Sequence, residues 1–348
     1  MLSNEQISEI RQHLETSQNP LFFFDNDVDG LASFLLLRKF VGRGKGVAIK
    51  SFPELNESYT RKINELNPDY IFILDKPKVS KEFIKEAEEK NLPIVWIDHH
   101  SLDDSSDKEL LKKVNYYNPT LSKNPSNEPT TYLCYQITKR KEDLWVAMLG
   151  CIADGYLPSF SSEFKSKYPE LWKEVETAFQ GLYETDLGKI IRMLSFALKD
   201  RTTKVVNMLK VLIDANSPME ILQENNKSKS IHQRYNQVNQ RYLKLLEKAK
   251  KLSKGKILFF QYGGDLSLSA DLANELSYIY PAKIVIVTYI KGSKANISIR
   301  GEKNIRDFTL KALKGIENAS GGGHENACGA TMNVEDIEKF KDNFEKLI

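Results

Sequence analysis

The stretch Phe22-Phe23-Phe24-Asp25-Asn26-Asp27-Val28-Asp29-Gly30 constrains this chain most, because an apolar run stops abruptly in alternating carboxylates. Three Asp at positions i, i+2 and i+4 at the tip of a buried strand repel one another strongly, so they are tolerable only where protons or cations neutralise them. The pattern points to a metal, and Gly30 is expected to let the backbone turn into the next helix. Asp-x-Asp-Gly is also common in surface turns, so the segment must be weighed with its neighbours.

Two further apolar runs end the same way. Tyr70-Ile71-Phe72-Ile73-Leu74 is continuous and β-branched or aromatic, as a parallel strand buried on both faces should be, and it ends at Asp75. Pro93-Ile94-Val95-Trp96-Ile97 ends at Asp98-His99-His100. Around them the pattern predicts strands at Leu21–Phe24 and Val47–Phe52, and helices at Leu31–Val41, Ser58–Leu66 and Lys81–Lys90. Such alternation predicts an α/β fold with a parallel, doubly wound sheet, whose functional groups gather beyond the carboxyl ends of the strands. Three acidic endings on one edge place Asp25, Asp27, Asp29, Asp75 and Asp98 with His99 and His100 in one crevice. That oxygen-and-nitrogen mix suits a pair of ions such as Mn²⁺ or Mg²⁺.

Beyond a short strand near Val114–Tyr117 and a turn at Asn118-Pro119, helices are predicted from about Thr130 and over Glu142–Ile152. The second runs through a near-apolar stretch into Asp154, which is expected to be a buried carboxylate in need of a partner, a metal or else water at a helix end. Leu187, Ile190, Ile191, Leu194 and Leu198 fall on one helical face and read as packing. Between Leu222 and Lys256 ten Lys or Arg face two acids, Glu224 and Glu247. In the helix predicted there, Asn226–Lys254, the residues Ile231, Tyr235, Val238, Tyr242, Leu245, Ala249 and Leu252 recur at alternating four- and three-residue steps. This is a heptad seam of about three heptads, which serves either a connector packed on its own domain or a homodimer.

A second α/β unit is predicted from Lys256, with strands Ile257–Gln261, Ile284–Tyr289 and Ala295–Arg300 and helices Ser269–Tyr280 and Arg306–Leu313. It carries Gly321-Gly322-Gly323-His324. Consecutive glycines bring backbone N–H groups close to a ligand, a nest suited to phosphate to which His324 and Arg300 add donors. The expected division is 1–185 catalytic, 186–255 helical segment and connector, and 256–348 substrate-binding.

Composition excludes little else. At 348 residues with 41% hydrophobic content the chain can bury a full core. Fifty Lys and Arg nearly balance 47 Asp and Glu, so the global field does not by itself argue for nucleic acid. The N-terminus reads as a polar helix with a Ser3-x-x-Gln6 capping box, and no run approaches the ~20 apolar residues of a membrane span. Cys134, Cys151 and Cys328 are widely spaced and lack metal-type pairing, so reduced thiols, a soluble chain and a cytoplasmic location are expected.

Taken as an ordered set, Asp-x-Asp-x-Asp-Gly, an Asp ending a later strand, Asp-His-His, an Asp after a helix and a C-terminal Gly-Gly-Gly-His resemble the DHH phosphoesterase superfamily with its DHH-associated C-terminal domain. The first motif is most similar to the RecJ-like branch. The resemblance implies that Asp27 and Asp29 bind two divalent metals, typically Mn²⁺ with Mg²⁺ or Co²⁺ as substitutes. It implies that Asp75 bridges them, that His99 and Asp154 complete the second site, and that His100 faces the substrate phosphate or supports the metal shell. Asp25 is a further candidate ligand. Gly321, Gly322, Gly323, His324 and Arg300 match the part that holds the nucleotide. Three departures stand out. Phe23 occupies a position where other branches place a His; Lys76-Pro77 sets a cation beside the bridging Asp, where it is expected to compete for it; and the additional OB-fold of long RecJ exonucleases is not expected. The function expected is hydrolysis of single-stranded DNA or RNA, a RecJ-like exonuclease releasing nucleoside monophosphates, with Asp75, Asp98, His99 and His100 as catalytic residues. The alternatives are a phosphodiesterase for cyclic or linear dinucleotides and very short oligonucleotides, and a non-catalytic replication or repair scaffold that meets its partner through the connector helix.

Overall fold

The computed structural model describes residues 1–51, 54–102, 108–302 and 304–348. Packing divides the chain into two compact units, Met1–Tyr235 and Asn236–Ile348, so the helical segment expected over 186–255 is shared between them. The strands of the first unit are, in chain order, β1 (Pro20–Asp25), β2 (Lys45–Ile49), β3 (Glu54–Leu55), β4 (Tyr70–Leu74), β5 (Lys78–Val79), β6 (Ile94–Ile97) and β7 (Asn115–Tyr117). Five of them form a sheet in the order β2-β1-β4-β6-β7, parallel throughout. β3 and β5 pair separately. The second strand is shorter than expected, and Phe52 lies outside the described residues.

The continuous apolar strands are explained by burial on both faces. Phe22, Phe24, Phe72, Leu74, Val95 and Ile97 pack into one core, while Leu21, Phe23, Ile71, Ile73, Ile94 and Trp96 alternate into the other. The first core also takes the helices Val28–Val41, Leu144–Ala153 and Asp186–Leu198. Leu187, Ile190, Ile191, Leu194 and Leu198 are all buried there. The Ser3/Gln6 capping box is present on the helix Asn4–Thr16. All three cysteines are free thiols and buried.

Gly30 is not the turn into the following helix. That helix starts at Val28 with Asp27 as its N-cap, so Gly30 lies in its first turn. A Cβ there would sit 2.6 Å from the Asp25 carbonyl oxygen and 2.7 Å from the Asp25 nitrogen. Glycine is therefore required by close approach of the strand end, not by backbone torsion.

The basic helix runs from Lys229 to Lys250. Its buried residues are Ile231, Val238, Tyr242, Leu246 and Ala249, whereas Leu245 is only half-buried and Leu252 is exposed. The later steps of four, four and three describe a straight helix lying on a core rather than the heptad seam expected from sequence. Tyr242 reinforces this packing by donating to Glu275.

The second unit contains β8 (Ile257–Gly263), β9 (Ile284–Lys291), β10 (Lys294–Arg300), β11 (Ser320–Gly323) and β12 (Ala327–Asn333), ordered β11-β12-β10-β9-β8. Only the β8/β9 pair is parallel. The three glycines thus form an edge strand, with Gly321, Gly322 and Gly323 facing Ala330, Gly329 and Cys328, in place of the loop-like nest expected. Among the described residues no helix is long and apolar enough to cross a membrane.

Gly150 sets the spacing of two core helices: a Cβ there would meet Thr131 Oγ1 at 2.0 Å and Thr131 Cβ at 2.6 Å. Gly150→Ala should lower unfolding stability by about 1–3 kcal/mol through overpacking, read from the denaturant midpoint. Thr131→Ala in the same chain should recover part of that loss, and purely additive effects would mean that the two positions do not collide.

Candidate metal centre

The order of the main sheet reverses between β1 and β4: the chain leaves β1 for β2 on one side and returns to β4 on the other. A crevice opens at such a switch point, beyond the carboxyl ends of the strands. Asp25 ends β1 with Asp27 and Asp29 just beyond it, Asp75 follows β4, and Asp98, His99 and His100 follow β6. Asp154 reaches the same place as the C-cap of the helix Leu144–Ala153.

His99 is buried at the centre. Its Nε2 lies 3.4 Å from Asp75 Oδ1 and 3.9 Å from both Asp29 Oδ2 and Asp154 Oδ2. Two triads, Asp75–His99–His100 and Asp29–His99–Asp154, each bring one ligand atom per residue within 4.8 Å. The buried Nδ1 of His99 has no hydrogen-bond partner among the described residues.

Each carboxylate is held differently. Asp29 accepts the backbone N–H groups of Thr130 and Thr131 at 3.0 and 2.8 Å. Those groups open the helix Thr130–Thr138, whose N-cap is Pro129 and has no side chain to offer, so Asp29 caps it from another segment. Asp75 accepts from the Thr130 hydroxyl at 3.2 Å and stands at φ +59, a left-handed conformation rare for a residue with a Cβ. Asp27 accepts from the Gly30 N–H at 2.9 Å as N-cap. Asp154 is not buried as expected: its side chain is 37% exposed, on the open side of the cluster.

Lys76 does not compete for Asp75 as its sequence position suggests. Its fully buried ammonium turns to Asp25 Oδ1 at 2.8 Å and to the Ser51 carbonyl at 2.8 Å. Asp25 is thus ion-paired within the protein. Asp98 is also set apart: its Oδ1 lies 2.8 Å from His100 Nδ1, and its Oδ2 accepts from the His100 N–H at 3.2 Å and the Tyr116 hydroxyl at 3.4 Å. Because a carboxylate only accepts, His100 carries its proton on Nδ1. Asn118 secures the arrangement by donating to the His100 carbonyl and to Tyr116 Oη, both at 2.8 Å.

The electrostatics are those of crowded acids. Withdrawal from bulk water into the crevice raises Asp27 and Asp29 well above the usual carboxylate range, and Asp75 raises both further. Asp154 is pushed up to about 6, by loss of water first and against the pull of His99. Burial also works against ionisation of Asp75, but His99 outweighs it and holds Asp75 at about 2. Burial pulls His99 down, yet its carboxylate neighbours, Asp75 foremost, lift it well above the usual imidazole value.

Oxygen donors around one imidazole, mutually repelling and partly wrapped by N–H groups, fit a hard or borderline divalent cation. Sequence reasoning gave Thr130, Thr131, Tyr116 and Asn118 no part in the site and gave Lys76 the wrong partner. Only Lys76 left a signal, as a misplaced cation beside an acid. In the second unit, Arg300 Nε donates to Asn274 Oδ1 at 2.6 Å and its Nη1 to the Cys328 carbonyl at 3.1 Å. His324 is exposed beside β11, at the hairpin closed by its N–H to the Ala327 carbonyl at 2.9 Å.

Comparison with known proteins agrees with this fold. The family described as DHH family, N-terminal domain, matches residues 21–156, and the DHHA1 domain matches residues 254–348. No curated protein sequence matches the chain significantly. Among solved structures, RecJ in complex with Mn²⁺ from Thermus thermophilus is similar at TM-score 0.69 and 14% identity over 99% of this chain and 54% of that one. The chain thus spans about half of that protein. A second structure, described as exonuclease RecJ bound to manganese, is similar at TM-score 0.64 and 14% identity, over 99% of this chain and 93% of that one. CDC45 from Entamoeba histolytica is similar at TM-score 0.54 and 10% identity, over 98% of both chains.

A raised folded-state pKa stabilises only while the group is protonated, so that contribution disappears as pH rises through the raised value. Asp154, at about 6, and His99 act in this direction, while Asp75, at about 2, changes protonation far below neutrality. The metal-free protein should therefore melt at lower temperature as pH rises from about 5 to 7, and Asp154→Asn should flatten the fall. Saturating Mn²⁺ should reverse it. A melting temperature that ignores both pH and Mn²⁺ would contradict a cation site.

Proposed function

This chain belongs to the DHH phosphoesterase family, hydrolases of phosphodiester bonds, and carries a C-terminal DHHA1 domain; on that premise we propose that it is a metal-dependent nuclease removing nucleoside monophosphates from the ends of single-stranded DNA or RNA. The observation that carries this reading is the convergence of Asp29, Asp75 and Asp154 on His99 at the switch point of the sheet. In this reading Asp27, Asp29, Asp75, His99 and Asp154 would hold two divalent cations, Mn²⁺ or Mg²⁺, with Asp75 available to both. Fold-related RecJ structures are described with Mn²⁺ and with Mg²⁺, which supports a divalent cation of this kind. Such ions, when bound, polarise a phosphoryl group and acidify a water so that it becomes a nucleophile near neutral pH.

The chain's own residues do the rest. Asp29 and Asp75 are fixed by Thr130 and Thr131, so the donor set needs little reorganisation. Asp25, paired with Lys76, supports the loop from outside the ligand set. His100 is aligned by Asp98, which also raises its pKa against the effect of burial, and in its cationic form it can donate to a phosphate oxygen. In the second unit Arg300 is held in place by Asn274, and with His324 and Gly321–Gly323 it is assigned the substrate phosphate. Lys244 and Lys248 are exposed four residues apart on the basic helix and Lys251 is exposed just past its end, which favours a polymer over a dinucleotide.

The test is incubation with Mn²⁺, Mg²⁺ or EDTA and oligonucleotides of graded length from dinucleotide upward, DNA and RNA, labelled at either end. Stepwise loss of mononucleotides from long strands, abolished by EDTA and by Asp75→Asn, is the expected result. Turnover confined to dinucleotides would make the chain a short-substrate phosphodiesterase, and strand binding without any hydrolysis would make it a scaffold. His324→Ala should reduce the rate by about 10²–10³ without altering Mn²⁺ affinity.

A further inference from the structure

The acidic cluster has an aromatic neighbour that the proposed chemistry does not use. Asp154 is followed by Gly155, and a Cβ on Gly155 would lie 3.6 Å from Phe179 Cζ, so the Phe179 ring rests against the backbone beside the cluster. Yet Phe179 is 43% exposed, a large apolar surface left open next to a polar site. It lies on the short helix Ala178–Glu184, where Tyr183, four residues on, shares its face. The two rings are nearly parallel, at 5° with centroids 6.4 Å apart. Arg192 lies over the Tyr183 ring, its Cζ 5.9 Å from the centroid. The surface continues into a cleft of about 220 Å³ lined by Tyr183, Lys189, Arg192 and Tyr235, so two cations flank the aromatic row.

A row of aromatic faces bordered by Lys and Arg, starting at an acidic metal-type centre, has the composition of a stacking platform for single strands: the rings take bases without regard to sequence and the cations take phosphates. Packing alone does not account for it, because a core-packing Phe would not leave nearly half its surface in water. We propose that Phe179 and Tyr183 stack the bases of a single-stranded nucleic acid next to the hydrolytic centre, with Lys189 and Arg192 holding the adjoining phosphates. This rests on the nuclease reading and deepens it, since a subsite on this side of Asp154 lengthens the strand that the first unit grips.

The test uses the full chain carrying Asp75→Asn, so that strands bind without being cut, and a single-stranded 20-mer containing 2-aminopurine, whose fluorescence falls when it stacks. Phe179→Ala and Phe179→Leu should each weaken binding about tenfold and remove the quenching, while Phe179→Trp should restore both. The slope of log affinity against log salt should not change in the Phe179 variants, but should fall by about 0.7 for each of Lys189→Gln and Arg192→Gln. Leucine binding and quenching like the parent would overturn the stacking assignment while leaving the nuclease reading intact. Failure of the parent to bind any single strand would overturn both. Because Phe179 is half in water, melting curves of its variants should coincide with the parent, and a large shift would show that its role is structural.

Discussion

Like charges forced together at the end of a parallel sheet are the constraint from which the rest of this structure follows. Asp29, Asp75 and His99 are buried within a few ångströms of one another, where an uncompensated carboxylate is costly. The surrounding protein answers with compensation of three kinds. Backbone N–H groups of Thr130 and Thr131 wrap Asp29, the buried ammonium of Lys76 neutralises Asp25, and the His99 imidazole shares its polar edge among three acids. None of these removes the excess, because Asp27 and Asp29 still resist ionisation. A bound cation would balance the remainder, and the crevice that would receive it is set by the reversal of strand order at β1 and β4.

The acids were legible in the sequence because a buried parallel strand has to end where the sheet ends. Whatever follows its last apolar residue must therefore stand on the crevice edge, and Asp75 and Asp98 were placed by that rule alone. The supporting residues were not legible for the same reason in reverse. Thr130 and Thr131 look like any helix start, and nothing local reveals that their N–H groups point to an acid about a hundred residues earlier. Asn118 looks like a turn residue, which it is, and its contacts to His100 and Tyr116 arise only when β6 and β7 pair.

Other sequence expectations failed where two local patterns coincide. The stripe on the basic helix satisfies both a heptad and a wider helical period over a short span, and burial of Leu246 in place of Leu245 decides for the second. Three glycines suit a loop and also suit a close-packed edge strand. Leu313 and Gly329 crowd Gly321, where a Cβ would come within 2.7 and 2.9 Å of them, so small size is what that position requires, whereas Gly323, at φ +140, also needs the torsional freedom of glycine. At Gly30 the same distinction applies, with the strand end as the crowding partner.

Asp75 carries a consequence for anyone who would make this protein more robust. A non-glycine residue at φ +59 stores backbone strain of about 1–2 kcal/mol, released if glycine takes its place. Asp75→Gly would relax the chain, but it would also take from the buried His99 the carboxylate that lies 3.4 Å from its Nε2. Backbone torsion and ion pairing thus pull this one position in opposite directions.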